Sequence, residues 1–242
     1  MTREPKKITG AAVELFFPRR CPVCFDIVKP RGELICPKCA KSLVPVRNPV
    51  CKKCGKPVMN QETEYCFDCV RHHRTFEYNM AVFEYNDCAS RSMSAIKYKN
   101  KREYLDFYTE AAWYRFKDRI AAVAPELIVP VPVHPARERE RGFNQASVLS
   151  HGLSRKLPLS VCDNALKRVK KTAPQKELDP SGRLRNLEQA FAPGVISAGI
   201  KKVLLVDDIY TTGSTLEACT RVLKHMGVQK VWTLTLFIGG GA

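Results

Sequence analysis

The sequence predicts an α/β protein, a parallel sheet flanked by helices, preceded by a small cysteine-rich domain. Three observations carry this. Four Cys-x2-Cys pairs crowd into residues 21–69 and none follows. From about residue 76, short apolar runs alternate with segments of helical periodicity, as crossover-connected parallel strands require. One apolar strand, Lys202 to Val206, enters Asp207-Asp208 and then a turn dense in Thr, Ser and Gly. A chain of 242 residues suits one to two domains at roughly 150 residues each. The expected division is 1–75 and 76–242.

At the N-terminus, Lys6 and Lys7 precede an apolar patch that superficially suits a signal peptide. Glu14 interrupts it, and Ile8, Ala11, Ala12, Leu15 and Phe16 share one helical face, so an amphipathic docking helix fits better. Cys21-x2-Cys24 is followed after eleven residues by Cys36-x2-Cys39, and Cys51-x2-Cys54, again after eleven, by Cys66-x2-Cys69. These are two copies of one pattern at a 30-residue period. Each Cys-x2-Cys turn sets two sulfurs near the edge length of a ZnS4 tetrahedron, and two facing turns complete a site. Pro22, Pro37, Gly55 and Pro57 supply turns for a small ribbon. A disulfide framework is disfavoured by the odd count of 11 cysteines and the lack of a secretory signal. A thioredoxin-type redox pair would be a single motif in a βαβ setting. The even spacing favours zinc over iron–sulfur ligation.

Two structural Zn2+ sites, a double zinc ribbon, are therefore expected, folding because metal replaces a core too small to hold itself together. Sequential pairing closes the shortest loops. The knuckles also recur every fifteen residues, so a crossed pairing fits too. His72 and His73 read as surface residues. Cys88, Cys162 and Cys219 read as buried or inert thiols, Cys219 on the apolar face of a helix.

In the second half, Met80 to Tyr85 alternates like a strand, and residues 88–98 and 101–123 read as helices. Leu127 to Val133 is a strand, Asn144 to Lys156 a helix, and Lys202 to Val206 a buried strand. A helix from Ser214 to Met226 ends at Gly227 before a final strand, Val228 to Phe237. No run approaches the roughly 18 apolar residues of a membrane span, and a soluble cytoplasmic protein is the expectation.

Ligands on such sheets sit at the carboxyl ends of strands. After Val206 come Asp207-Asp208-Ile209-Tyr210-Thr211-Thr212-Gly213-Ser214-Thr215. The strand is expected to deliver both carboxylates at its tip. Beyond it, a hydroxyl-rich turn opens a helix whose free N–H groups and partial positive charge form a cup for a phosphate monoester. Carboxylates beside it suit ribose hydroxyls or Mg2+. Together they describe a sugar-phosphate site. The chain contains neither a G-x-x-x-x-G-K-[ST] loop nor a G-x-G-x-x-G turn.

This segment resembles the phosphoribosyl pyrophosphate (PRPP) signature of the type I phosphoribosyltransferases, with Tyr210 where an aliphatic residue is usual. The four-knuckle N-terminus, Ile96-Lys97-Tyr98-Lys99, Val129-Pro130-Val131-Pro132, Arg137, and Arg141-Gly142-Phe143-Asn144-Gln145 together resemble the ComF family of competence-associated, phosphoribosyltransferase-like proteins. So does the segment Arg168, Lys170, Thr172, Gln175, Leu178, Arg183, Asn186, Ala190-Phe191, in the place of that family's mobile loop; Lys170 stands where arginine is common. The resemblance implies that Asp207 and Asp208 hold the ribose 2- and 3-hydroxyls and that Thr211, Thr212, Gly213, Ser214 and Thr215 wrap the 5-phosphate. It makes the turn at Val133 and His134 the pyrophosphate loop. Lys97, Arg137, Arg141, Arg168, Lys170 and Arg183 become basic or lid contacts, and Mg2+ accompanies PRPP. His134 reads as a hydrogen-bonded loop residue before it reads as a general acid.

A formal charge of +16, about +12 once two tetrathiolate zinc sites are counted, points to an anionic partner. Three roles fit: a phosphoribosyltransferase, a PRPP-binding protein without catalysis, or a single-stranded DNA-binding factor in transformation working beside other competence proteins. For the last, basic and aromatic residues interleave around Lys97-Tyr98-Lys99 and Arg102-Glu103-Tyr104. Most of Tyr104, Phe107, Tyr108, Trp113, Tyr114 and Phe116 are expected to be helix core.

Overall fold

The computed structural model describes residues 18–169 and 190–239. The expected N-terminal amphipathic helix, and Lys170, Thr172, Gln175, Leu178, Arg183 and Asn186, lie outside them.

The centre is a five-stranded sheet in the order β1-β7-β6-β2-β3 with every pair parallel. Its strands are β1 (Asn79–Glu84), β2 (Leu127–Pro130), β3 (Ser160–Val161), β6 (Lys202–Tyr210) and β7 (Lys230–Ile238). A separate antiparallel hairpin pairs β4 (Leu166–Arg168) with β5 (Phe191–Pro193). The two faces alternate along β6. Leu204 and Val206 join one core with helices α3 (Asp87–Tyr98), α4 (Leu105–Val123) and α6 (Gln145–Ser154). Val203 and Leu205 join the other with α7 (Ser214–His225) and the hairpin. The fold is thus the parallel sheet flanked by helices that the periodicity predicts.

Each helix starts and stops for local reasons. Asn86 caps α3 by accepting from the Ala89 amide at 2.9 Å, and Asn144 caps α6 through the Ala146 amide at 3.0 Å. The buried stripe Leu105, Tyr108, Ala112, Phe116 and Ile120 sets α4 against the sheet. Tyr104, Tyr108 and Phe116 are core as expected, whereas Tyr114 is exposed. His72 and His73 are exposed; Cys219 is fully buried, but Cys88 and Cys162 are only partly so, which corrects their reading as a uniform set. A single turn of 3-10 helix at Arg102–Tyr104 precedes α4.

Both zinc ribbons are visible as side-chain clusters: Cys21, Cys24, Cys36 and Cys39, and Cys51, Cys54, Cys66 and Cys69. In each set the four sulfurs lie within 4.8 Å of one another, a spacing that fits tetrahedral zinc. The pairing is sequential, not crossed. The 30-residue repeat holds in the backbone too: Phe25 and Gly55 both have left-handed φ (67° and 74°) and both donate to the first cysteine's carbonyl at 3.0 Å. Gly55 has no alternative, because a Cβ there would sit 2.6 Å from the Asn79 carbonyl oxygen. Phe25 holds the same conformation with its ring stacked on Tyr104, centroids 6.1 Å apart. The second cysteine pair of each ribbon opens a short helix, α1 (Pro37–Ala40) and α2 (Phe67–Arg71), which the spacing alone does not reveal.

The ribbons straddle the β1 edge. Val23, Val28, Ile35 and Leu43 join the core under α3 and α4, while Val46, Cys51 and Cys54 join the core under α7. Between them residues 44–46 lie antiparallel to β1: the Val46 amide donates to Val82 at 3.1 Å and the Glu84 amide to Val44 at 2.8 Å. The linker thereby covers backbone groups that an open edge would expose.

Two expectations follow. Metal analysis should find about two zinc ions per chain, falling to about one in Cys54→Ala. Asn79 is fully buried, its amide donating to the Cys54 carbonyl at 3.0 Å and its carbonyl accepting from the Thr233 hydroxyl at 2.8 Å. Asn79→Ala should cost about 1–3 kcal/mol, read as a lower urea midpoint at unchanged slope.

Candidate functional site

Strands β2 and β6 are neighbours, but the chain leaves them in opposite directions across the sheet, β2 toward β3 and β6 toward β7. Such a switch point opens a crevice at the carboxyl ends of the two strands. β2 stops pairing early: Pro130 is opposite Val206, and the Val131 amide makes the last bond to Val206 at 2.8 Å. Expecting a strand through Val133 therefore overextends it. β6 does the reverse. It stays paired with β7 through Asp207, opposite Thr235, to Tyr210, opposite Ile238. The two carboxylates thus lie inside the strand rather than at its tip, beyond the point where β2 departs.

Their surroundings differ, Asp207 being electrostatically coupled to Arg168 of β4 and Cys219 of α7. Asp208 faces α3 and α6. Lys97, on the last turn of α3, is ion-paired with its Oδ2, and the Gln145 side chain donates to Oδ1 at 3.1 Å. Arg141 in turn donates to the Gln145 carbonyl oxygen. Burial opposes charge on Asp208, but Lys97, the Asp207 side chain and Gln145 together hold it below the ordinary aspartate value. Asp207 makes no ion pair among the described residues, although the charges of Lys97 and Arg168 reach it. Burial first, then the charge of Asp208, pushes it well above that value, although its Oδ1 accepts from the Asp208 amide at 2.8 Å. A buried carboxylate pair with one cation bound to it offers acceptors that a further cation or the hydroxyls of a ribose diol would satisfy.

The other candidates surround this pair. Val133 and His134 follow β2, and His134 caps α5 (Pro135–Arg141), its Nδ1 accepting from the Ala136 amide at 3.2 Å. That engagement leaves Nε2 as the ring nitrogen available to a further partner. Arg137 and Arg141 line, with Lys97, Tyr98, Lys99, Asn100 and Glu140, a cavity of about 400 Å3. Lys97 is therefore not free basic surface, as its reading as a DNA contact assumed; its charge is committed to Asp208. Arg168 stacks on Phe191, 5.2 Å from the ring centroid, and burial lowers its pKa. Thr211 to Thr215 form the turn into α7, with Thr211 and Thr212 exposed and Gly213 left-handed at φ 75°. No side chain caps α7 among the described residues, which leaves its first amides available to a ligand.

Arg74, Thr75 and Glu217 went unread in the sequence, and Gln145 was read only as part of a family motif. Gln145 links Arg141 to Asp208. Arg74 and Thr75, just past the second ribbon, bond to Thr212 and to the buried carboxylate of Glu217. Only the Glu217–Arg221 spacing of four left a trace, as a helical pair.

Comparison with known proteins agrees with this arrangement. Residues 12–70 match the family model for a double zinc ribbon domain, and residues 141–241 that for a phosphoribosyl transferase domain. Over 183 residues the chain is 32% identical to competence protein F of Haemophilus influenzae, covering 71% of this chain and 78% of that protein. It is 31% identical to competence protein ComFC of Bacillus subtilis over 173 residues, 67% of each. A third relative is DNA utilization protein YhgH of Escherichia coli, 38% identical over 112 residues, 46% of this chain and 49% of that one.

The asymmetry of the aspartates has a measurable consequence. Between the ordinary value of 3.8 and its raised folded value, Asp207 keeps a proton that the unfolded chain gives up. The stability this proton provides is complete below that window and is lost as pH rises through it. Asp207→Asn should therefore melt close to the wild type near about pH 4 and above it near about pH 8. A gap that does not widen with pH would show that Asp207 is ionised in the folded state.

Proposed function

This chain belongs to the competence protein F family, and from that premise we propose that it binds PRPP together with Mg2+ at the β2–β6 switch point. The observation that carries this reading is the pair of buried carboxylates on β6, one of them ion-paired with Lys97, beside a helix N-terminus that no side chain caps among the described residues. Asp207 and Asp208 would accept from the ribose hydroxyls. The turn from Thr211 to Thr215 would enclose the 5-phosphate, its amides and the α7 N-terminus supplying donors and positive potential. The turn at Val133 and His134, with Arg137 and Arg141 beyond it, would hold the pyrophosphate.

Transfer breaks the bond from the anomeric carbon to pyrophosphate, forms one to an incoming nucleophile and releases that nucleophile's proton. Bound Mg2+ would neutralise charge on the departing pyrophosphate. The chain's own part is positional: Lys97 and Gln145 orient Asp208, and Arg137 and Arg141 offer donors where negative charge accumulates. Nε2 is the one atom of His134 left to donate a proton outward.

The test is calorimetry of PRPP with Mg2+ on the zinc-loaded wild type and on Asp207→Asn/Asp208→Asn. Binding by the wild type, lost in the double variant, is expected, and pyrophosphate release then identifies acceptors. A folded wild type that binds no PRPP overturns this reading.

A specific observation favours a second role, single-stranded DNA binding. Tyr98 is 75% exposed on the rim of the cationic cavity, with the Arg141 guanidinium 5.7 Å from its ring and Lys99 and Arg137 on the same wall. An exposed ring among cations is the arrangement that stacks a base while neutralising its phosphate. The names of the relatives, concerned with competence and DNA utilization, accord with it. Tyr98→Ala with Arg137→Ala should weaken oligonucleotide binding and flatten its salt dependence. Asp207→Asn should leave both unchanged.

A further inference from the structure

We infer that Arg74, which touches neither carboxylate and lies far along the chain, is a positioning residue for the phosphate-binding turn, a role that rests on the PRPP reading above. It stands five residues past the last cysteine of the second ribbon and is almost fully buried. Its guanidinium donates to the Thr212 carbonyl at 2.6 Å. A trans peptide is planar, with C=O and N–H pointing opposite ways. Holding the Thr212 carbonyl toward Arg74 therefore turns the Gly213 N–H away from it. That amide has no acceptor among the described residues, so it is available to a phosphate oxygen. The Gly213 carbonyl in turn accepts from the Glu217 amide at 2.9 Å, the first bond of α7.

Two neighbouring features keep Arg74 in place. Glu217 is fully buried, and its carboxylate accepts from the Thr75 amide at 2.7 Å, the Thr75 hydroxyl at 3.0 Å and Arg221 Nε at 2.8 Å. The residue next to Arg74 is thus fastened to the first turn of the very helix whose N-terminus forms the cup. Tyr210 lies directly beneath Gly213: a Cβ on that glycine would come 2.2 Å from the Tyr210 hydroxyl. The ring fills the space under the turn, and Gly213 must remain glycine for that reason as well as for its φ. The turn is thereby held between Arg74 and the Tyr210 ring, both on the second ribbon's side of the sheet.

The first ribbon has a comparable anchor elsewhere. Arg19 pairs with Asp106 at 2.9 Å and donates to the Glu103 carbonyl at 3.2 Å, on the opposite face. It provides the control.

The experiment uses the full zinc-loaded chain and three probes: ribose 5-phosphate, inorganic pyrophosphate, and PRPP with Mg2+. Arg74→Met should lower affinity for ribose 5-phosphate and PRPP about tenfold, the scale of one misdirected hydrogen bond to a charged group. Affinity for pyrophosphate alone should stay at the wild-type value, as should zinc content. Arg19→Met should alter none of the three. Unchanged ribose 5-phosphate binding in Arg74→Met overturns the inference, and so does an equal loss of pyrophosphate binding, which would mark general damage. If Arg74→Met does not fold, Arg74→Lys carries the test: it keeps the charge but not the fork, so a smaller loss confined to the 5-phosphate ligands supports the role and wild-type binding refutes it. A wild type that binds none of the probes removes the PRPP reading itself, an outcome separate from any result with the variants.

Discussion

Two carboxylates buried side by side in a central strand cannot both be ionised without a counter-charge, and much of the molecule is arranged around that constraint. β6 is covered on both faces, so Asp207 and Asp208 meet low-dielectric surroundings. On one side α3 brings Lys97 and α6 brings Gln145, and Asp208 stays charged. On the other, Asp207 makes no ion pair among the described residues, and burial together with the charge of Asp208 raises its pKa. A chain selected for stability alone would replace Asp207 with an apolar residue. Retaining it makes sense where a ligand provides the missing partner.

The ribbons solve a different problem. A parallel sheet needs both faces covered and both edges closed. β3, only two residues long, leaves little edge on one side. At the other, β1 is closed by the strand-like linker between the two ribbons, and each ribbon adds residues to the core of a different face. The metal sites therefore organise short segments that would otherwise lack a core and also complete the core of the larger sheet. Their attachments differ in consequence. The first ribbon rests on the start of α4 through Arg19 and Phe25, while the second continues into Arg74 and Thr75, which bind the turn and helix at the heart of the site.

Much of this was legible beforehand, because it depends on local patterns. The Cys-x2-Cys spacing pointed to two four-cysteine sites that fit zinc, while leaving their pairing open. Helical and strand periods placed α3, α4, α6, α7, β1, β6 and β7 within a few residues, since burial on one face repeats at the period of the backbone. The acidic pair followed by a Thr-, Ser- and Gly-rich turn marked the candidate site, since those groups have few uses together on a buried strand. The helical second half of each ribbon was not legible, because a metal, not a long amphipathic repeat, holds such short helices.

What the sequence by itself determined, then, is composition by element: which segments are strands or helices, which sulfurs share a metal type, and which residues carry the polar chemistry. Only the tertiary structure decided how these elements meet. Sequential ligand pairing, the early end of β2 beside a longer β6, the commitment of Lys97 to Asp208, and the bonds from Arg74 and Thr75 to Thr212 and Glu217 are all contacts between distant segments. Thr75 and Glu217 are separated by 142 positions, and no periodicity spans such a distance. Their meeting is fixed by strand order, which places the second ribbon and α7 on the same face of the sheet, and strand order is a property of the packed molecule rather than of any window of residues.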